Sequence, residues 1–196
     1  MAVMEAEDEY GIRREAGLFK EEEGSAGSAA TAFARLATIG ARKGDRDQFR
    51  QYAMTASGLT QIREYPSSPA VFLELARGAA LLGESDLARQ YIEQSQTSGA
   101  ERDTVFAEVI EHMARRSQVA EARRAIDGLE YAPARVRARY AVVHAEAAAT
   151  SAKLSTLFEE AESCSDAHEK AAALAAVAAN LLKKGDATAA PAGGKP

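Results

Sequence analysis

Residues 72–88, FLELARGAALLGESDLA, decide the fold, because a related pattern returns 34 positions later as residues 106–122, FAEVIEHMARRSQVAEA. Each stretch opens on a phenylalanine, continues with aliphatic and small residues at spacings of three and four, and reaches a short polar turn. Apolar residues at those spacings lie on one face of an α-helix. Each stretch therefore predicts a helix, a tight turn and the start of a second helix.

The pattern extends in both directions along the chain. A glycine or serine occupies the turn position five times, at separations of 39, 34, 34 and 34 residues: Gly44, Gly83, Ser117, Ser151 and Gly185. Eleven residues before each turn comes a large side chain: Phe33, Phe72, Phe106, Tyr140 and Leu174. Eight residues before it comes an aliphatic one: Leu36, Leu75, Val109, Val143 and Val177. Five residues after it, the inner face of a second helix is expected to begin: Phe49, Ala88, Ala122 and Thr156. A repeat at one fixed period predicts a stack of helix pairs.

The spacing resembles that of the tetratricopeptide family over residues 29–185. The resemblance lies in the period, the large residue, the aliphatic residue and the turn glycine, although the chain has no tryptophan. It implies an all-α, right-handed superhelix of antiparallel helix pairs, about four and a half repeats long. The first helices of such a superhelix line a concave groove.

The pattern also predicts the limits of the helices. First helices are expected over residues 29–43, 69–82, 103–116, 136–150 and 170–184, and second helices over residues 46–60, 86–98, 119–129 and 153–164. Asp45 and Asp166 are predicted helix caps, since each is followed three residues later by Gln or Glu. The extra residues between the first two repeats lie around Pro66.

The two ends differ from the repeat domain in composition. Residues 1–28 contain eight acidic and three basic residues, so this arm carries the whole net charge of −5. Residues 186–196 form an Ala/Gly/Pro tail. We expect the arm and the tail to be flexible, because they have little apolar surface to bury. For the arm a second interpretation stays open, a short helix that docks on the superhelix or on a partner through Leu18 and Phe19.

The composition excludes several classes of protein. Cys164 is the only cysteine, so no internal disulfide forms. No apolar stretch approaches the roughly 20 residues that a membrane span needs, which favours a soluble, cytoplasmic protein without membrane partners.

No catalytic, metal-binding or cofactor-binding pattern is found. The histidines at positions 112, 144 and 168 have no cysteine or carboxylate at the spacing of metal ligands. Cys164 precedes His168 by four residues, but Ser165 and Asp166 predict a turn between them. Glycine-rich phosphate loops and the GxSxG nucleophile motif are absent. The chain is therefore expected not to be an enzyme and to need no metal or cofactor.

Seven arginines fall within 25 residues: Arg115, Arg116, Arg123, Arg124, Arg135, Arg137 and Arg139. Helical repeats of about this length also occur in pentatricopeptide proteins, which read single-stranded RNA. RNA reading needs recurrent polar side chains in the groove, whereas the column expected to floor the groove, three residues before each turn, is small and apolar: Ala41, Ala80, Ala114, Ala148 and Leu182. RNA is therefore less favoured than a protein partner.

The pattern points to a non-enzymatic scaffold that binds an acidic and apolar peptide or helix in the concave groove. The residues expected to contact the partner are Arg42, Leu73, Arg77, Glu111 and Arg115. The main alternative is homotypic assembly, in which superhelices stack end to end through the alanine-rich residues 171–178.

Overall fold

The computed structural model describes residues 26–61, 69–149 and 154–189, and within these ranges the chain forms helices and turns but no strand. The all-α fold class is confirmed. The helices, numbered in chain order, are α1 (Ala26–Arg42), α2 (Arg46–Thr60), α3 (Pro69–Leu82), α4 (Ser85–Gln94), α5 (Ala100–Arg115), α6 (Val119–Ala125), α7 (Ala132–Ala149), α8 (Leu154–Glu162) and α9 (Ala167–Ala189). A 3₁₀ turn, Ile126–Gly128, follows α6. Residues 1–25, with Leu18 and Phe19, the segment around Pro66, the turn at Ser151 and residues 190–196 lie outside the described residues.

The helices follow the predicted order, but several begin and end earlier than predicted. Helices α1, α5, α7 and α9 each start three or four residues early. The predicted starts depend only on the spacing from the turn residues. The residues just before them, such as Ala26 and Ala100, also favour a helix. Helix α4 ends at Gln94, and Gln96 and Gly99 behind it have φ angles of 49° and 81° that a helix does not allow.

Three of the predicted turns have the same geometry. Gly44, Gly83 and Ser117 have φ angles of 76°, 79° and 65°. Their amides donate to the carbonyl three residues earlier at 3.0, 3.0 and 3.1 Å, and the following amide donates to the carbonyl five residues earlier at 2.9, 2.9 and 3.0 Å. This pair of bonds ends helices through a left-handed residue, usually glycine. These turns are confirmed, whereas the turn predicted at Gly185 is wrong, because α9 continues to Ala189. A single glycine costs a helix only about 1 kcal/mol, and no proline follows before position 191.

Both predicted aspartate caps form. Asp45 Oδ1 accepts a hydrogen bond from the amide of Gln48 at 2.9 Å. Asp166 Oδ1 accepts from the amides of His168 and Glu169 at 3.0 and 2.9 Å, and the Glu169 amide above all holds the pKa of Asp166 below its usual value. Each cap fixes the start of the following helix, α2 or α9, because it satisfies amides that have no partner inside the helix.

The helices pack in the order of the chain. Each of the first helices α1, α3, α5, α7 and α9 contacts the next one, and each of the second helices α2, α4, α6 and α8 contacts the first helices before and after it. The aliphatic column, eight residues before each turn position, is buried in all five first helices. None of the helices in the described ranges is long and apolar enough to span a bilayer.

The predicted inner face of the second helices is confirmed in α2, α4 and α6, but in α8 it is displaced by one residue. Phe49, Ala88 and Ala122 are buried as predicted, but Thr156 is exposed. In α8 the buried residues are Leu157 and Ala161, one position later. The helix rotates because burying this apolar pair releases more free energy than burying a threonine.

The buried side chains form two clusters that meet at α7. The larger cluster extends from α1 to the first half of α7 and contains the largest fully buried side chains, among them Phe49, Ile110 and Met113. The smaller cluster joins α7, α8 and α9 through seven residues: Val143, Ala147, Leu157, Ala161, Ala173, Ala176 and Val177. We call them the N-terminal core and the C-terminal core.

Candidate protein-interaction surface

Six charged side chains form a continuous series of ion pairs across α3, α5 and α7, which we call the ion-pair ladder: Glu74, Arg77, Glu108, Arg137, Glu111 and Arg115. Arg77 binds Glu74 at 3.1 Å and Glu108 at 2.9 Å. Arg137 binds Glu108 at 3.3 Å and Glu111 at 2.9 Å, and Arg115 completes the series on Glu111. Three guanidinium groups therefore balance three carboxylates.

The ladder arises from the repeat itself. Glu74 and Glu108 are 34 residues apart, and so are Arg77 and Glu111. Arg77 in α3 and Glu111 in α5 therefore occupy equivalent positions of the repeat but carry opposite charges. Sequence reasoning found Arg77, Glu111 and Arg115 but missed Glu74, Glu108 and Arg137. The recurrence of glutamate at one repeat position was the signal that could have found two of these three.

Hydrogen bonding favours the charged form of Arg77. Partial burial of the Arg77 guanidinium disfavours its charge, but the bonds to Glu108 and Glu74 outweigh burial and raise the pKa of Arg77 above its ordinary value. Half-exposed pairs of this kind contribute about 0–1 kcal/mol each. The ladder is thus a neutral surface whose arginines already have acceptors.

A cleft of about 790 Å³ opens beside the ladder, between α5 and α7, and we call it the α5–α7 cleft. It is lined by Glu111, Ala114, Arg115, Ser117, Val119, Arg137, Tyr140, Ala141, His144, Ala145, Ala148 and Ala149. The rings of Tyr140 and His144 stack with their centroids 5.8 Å apart, and Tyr140 is 39% exposed. The cleft therefore combines small apolar side chains, an accessible aromatic pair and the charged end of the ladder.

The predicted contact residues are only partly brought together. Glu111 and Arg115 line the cleft, and Arg77 is joined to them through the ladder. Arg42 is exposed at the end of α1, outside the ladder and the cleft. Leu73 is 1% exposed and belongs to the N-terminal core, so its prediction as a partner contact is wrong. Helix α3 buries a broad face because α1, α2, α4 and α5 all contact it.

The alanine column predicted to floor the groove is mostly buried. Ala41, Ala80 and Ala114 are 4%, 1% and 2% exposed, whereas Ala148 and Leu182 are exposed. The prediction of a groove floor is therefore wrong for the first two repeats, whereas Ala114 is buried but still lines the α5–α7 cleft. The reason is helical geometry, since this column lies one turn beyond the buried column seven residues before each turn.

Most of the clustered arginines have acceptors within the chain. Besides those of the ladder, the Arg116 guanidinium donates to the carbonyl of Leu81 at 2.7 Å. The remaining engaged arginines pair with carboxylates across helices: Arg123 with Glu146 and with Glu160 at 2.8 Å, and Arg135 and Arg139 with Glu169 at 2.8 and 3.2 Å. Many of these arginines therefore link one helix to a neighbouring helix.

Cys164 and His112 lie in different parts of the described chain. Cys164 lies in the turn between α8 and α9, where its thiol faces the Glu160 carbonyl at 3.7 Å. Burial, followed by the nearby charge of Arg115, lowers the pKa of His112 below its ordinary value. In the part of the chain that the structure describes, no three His, Cys, Asp or Glu residues are placed to hold a metal ion.

A scan against protein-family models, a search of the curated proteins and a search of the solved structures each found no match to this chain. The tetratricopeptide resemblance therefore stays a prediction.

Proposed function

We propose that this protein is a non-enzymatic interaction module that binds a helix or peptide segment of another protein in the α5–α7 cleft. The observation that carries the proposal is the accessible Tyr140–His144 stack among small side chains. Aromatic residues contribute much of the affinity of protein interfaces when a partner buries them. Alanines beside them allow the backbone of a partner helix to come close.

The cleft also favours a particular kind of segment. Arg115 uses one nitrogen, Nη2, to bind Glu111, and its side chain is 65% exposed. A guanidinium has five N–H donors, so Arg115 retains donors for a carboxylate of the partner. The preferred segment would place an apolar side chain on the Tyr140–His144 stack and an acidic residue near Arg115.

We further propose that the helix pairs form a right-handed superhelix of the tetratricopeptide type, in about four and a half repeats, in a cytoplasmic protein. The support is the recurrence of one turn geometry at Gly44, Gly83 and Ser117, together with the regular order of helix contacts. In such a superhelix the first helices line the concave side. The ladder and the cleft, which are built mainly on α3, α5 and α7, would then belong to that side.

The pairing of the arginines supports a protein partner rather than RNA. Phosphate binding needs guanidinium groups that can exchange small counterions for phosphates. The ladder and the pairs at Arg123, Arg135 and Arg139 already neutralise most of this charge. The affinity for a partner should therefore depend less on salt than an RNA complex would.

A charge placed in the cleft tests the proposal. Ala148 is exposed and lines the cleft, so Ala148→Glu should abolish binding of a partner without unfolding α7. Ala132→Glu is the matched control, since it puts the same charge at an exposed position in the first turn of the same helix. Partners captured from lysate would be quantified by mass spectrometry for both variants and the parent. A partner lost with Ala148→Glu and retained with Ala132→Glu supports the proposal, and equal capture by all three proteins contradicts it.

A further inference from the structure

Helix α9 carries an apolar face that none of the described elements covers. It buries Ala173, Ala176 and Val177 against α7 and α8. On the other side Leu181 and Leu182 are 51% and 71% exposed, and three alanines beside them are exposed as well: Ala171, Ala175 and Ala178. Neighbouring exposed leucines on one helix face mark an interaction surface more often than scattered ones do.

The spacing on this face is that of a helix–helix seam. Ala171, Ala175, Ala178 and Leu182 are separated by four, three and four residues, as are the a and d positions of a coiled coil. These seam residues cover positions 171–182 of α9, whose helical backbone continues to Ala189. Small side chains allow two helix axes to approach to about 8 Å, the lower end of the usual range.

The charges at the two ends of α9 indicate whether a second copy of the helix would pack parallel or antiparallel to it. Asp166 is half-buried just before the start of the helix and Lys183 is exposed near its end, about 25 Å away at 1.5 Å per residue. Two parallel copies would bring Lys183 next to Lys183 and Asp166 next to Asp166. Two antiparallel copies place each lysine beside the opposite charge of the other copy and also oppose the helix dipoles favourably.

We propose that two copies of this protein associate through α9, antiparallel, with Ala175 near the two-fold axis. In this arrangement Ala171 of one copy faces the region of Ala178 of the other, and Lys183 comes close to Asp166. The same apolar patch is then used twice, as a two-fold interface requires.

End-to-end stacking of α9 on α1 is the competing arrangement, and α1 does not offer the matching surface. Among the side chains of α1 that the structure describes, from Ser28 onward, Ser28, Arg35 and Arg42 are exposed, and the apolar ones are buried apart from the half-buried Ile39. Stacking an apolar α9 face on these polar residues would bury arginines without acceptors. The structure therefore favours a closed dimer over an open filament.

Sedimentation equilibrium over a range of concentrations tests the association. The mass should rise from 20.8 kDa to twice that value. Leu182→Glu and Ala178→Glu change exposed positions and should each weaken the dimer at least about tenfold while circular dichroism stays the same. Met54→Glu is the matched control, because Met54 is 74% exposed on α2, and its mass should follow that of the parent. A monomer at every soluble concentration, or a dimer that both α9 variants leave intact, overturns the proposal.

Cysteine cross-linking tests the direction. In a Cys164→Ser background, Ala175→Cys should cross-link two copies under mild oxidation, and Leu182→Cys should not, because antiparallel packing moves the two copies of residue 182 apart. Efficient cross-linking at both positions would show parallel packing, and cross-linking at neither would show another interface. Either result overturns the antiparallel arrangement.

Discussion

The N-terminal core and the C-terminal core come from one repeat pattern, yet they differ in what they bury. The N-terminal core contains Phe49, Leu73, Ile110 and Met113. The C-terminal core contains four alanines, two valines and Leu157. Five of the six exposed large apolar residues in the described ranges lie from position 131 onward: Tyr131, Tyr140, Phe158, Leu181 and Leu182.

A repeat can therefore fix the layering of helices without fixing the stability of each layer. Free energy from burial grows with apolar area. The C-terminal core should therefore release less, because Leu157 is its only side chain larger than valine, whereas the N-terminal core mixes its alanines with phenylalanine, leucine, isoleucine and methionine. In stacked repeats, stability is the sum of local and neighbouring contributions. We expect the C-terminal helices to be held more weakly, while their large apolar residues remain available for partners.

The largest effect is expected from truncating the core. Ile110→Ala should lower the free energy of unfolding by about 3–4 kcal/mol, because the residue is fully buried and a cavity remains. Val177→Ala in the C-terminal core should cost roughly 1–2 kcal/mol. Urea denaturation followed by circular dichroism measures both. Because Ile110→Ala removes three carbons and Val177→Ala removes two, the losses are compared per carbon removed, and equal losses per carbon would contradict the unequal packing.

The second effect concerns the segment that leads into α7, the helix at which the two cores meet. Asp103 is buried, and its Oδ2 accepts from the amides of Glu130 and Tyr131, both at 2.7 Å. Asp103→Ala leaves these amides without their acceptor and should cost about 2–3 kcal/mol. The control is Asp127→Ala, at an exposed position, with little change expected. A similar denaturation midpoint for the two variants would show that this connection does not matter.

Substitutions at two glycines test how closely the helices of the N-terminal core pack. A Cβ added at Gly78 would lie 2.6 Å from Cε2 of Phe49, so Gly78→Ala should destabilise by about 1–3 kcal/mol. A Cβ at Gly58, in α2, meets nothing within 4 Å, and Gly58→Ala should stabilise by roughly 0.5–1 kcal/mol. Thermal unfolding would show melting temperatures displaced in opposite directions. A harmless Gly78→Ala would mean that α2 and α3 are not closely packed there.

The smallest effect is a pH dependence at His112. Its pKa is lowered by burial and by Arg115, so the unfolded chain takes up a proton below about pH 6.5 while the folded chain does not. Stability should therefore fall as the pH drops from 7 through the lowered pKa. His112→Gln should flatten this part of the profile in urea titrations at several pH values. If the His112→Gln variant kept the same slope of stability against pH, other groups would be responsible for the pH dependence.

Local features were the predictable ones. The turns at Gly44, Gly83 and Ser117 and the caps at Asp45 and Asp166 depend on a few neighbouring residues, so the sequence pattern is sufficient to find them. Features that depend on the distance between helices were missed or misplaced. The ion-pair ladder is one of these features, because it forms only when α3, α5 and α7 lie side by side.

The misplaced residues show which physical effect was left out. Leu73 was assigned to a surface because the repeat columns define only one buried stripe, whereas α3 is packed on several sides. Thr156 was assigned to a buried face because the period was held constant, whereas α8 rotates to bury Leu157 and Ala161. In both cases the surrounding helices decide which side chains are buried.

Hydrogen exchange measured by mass spectrometry, at a concentration where the protein is monomeric, compares the stability of the two cores within one molecule. Amides of α8 and α9 should exchange through openings of lower free energy than amides of α3 and α5, because the C-terminal core has only one side chain larger than valine and releases less free energy on burial. Peptides covering 154–162 and 170–183 would then become deuterated well before those covering 71–82 and 103–114. Equal protection of all four segments, or greater protection in α8 and α9, would contradict the account.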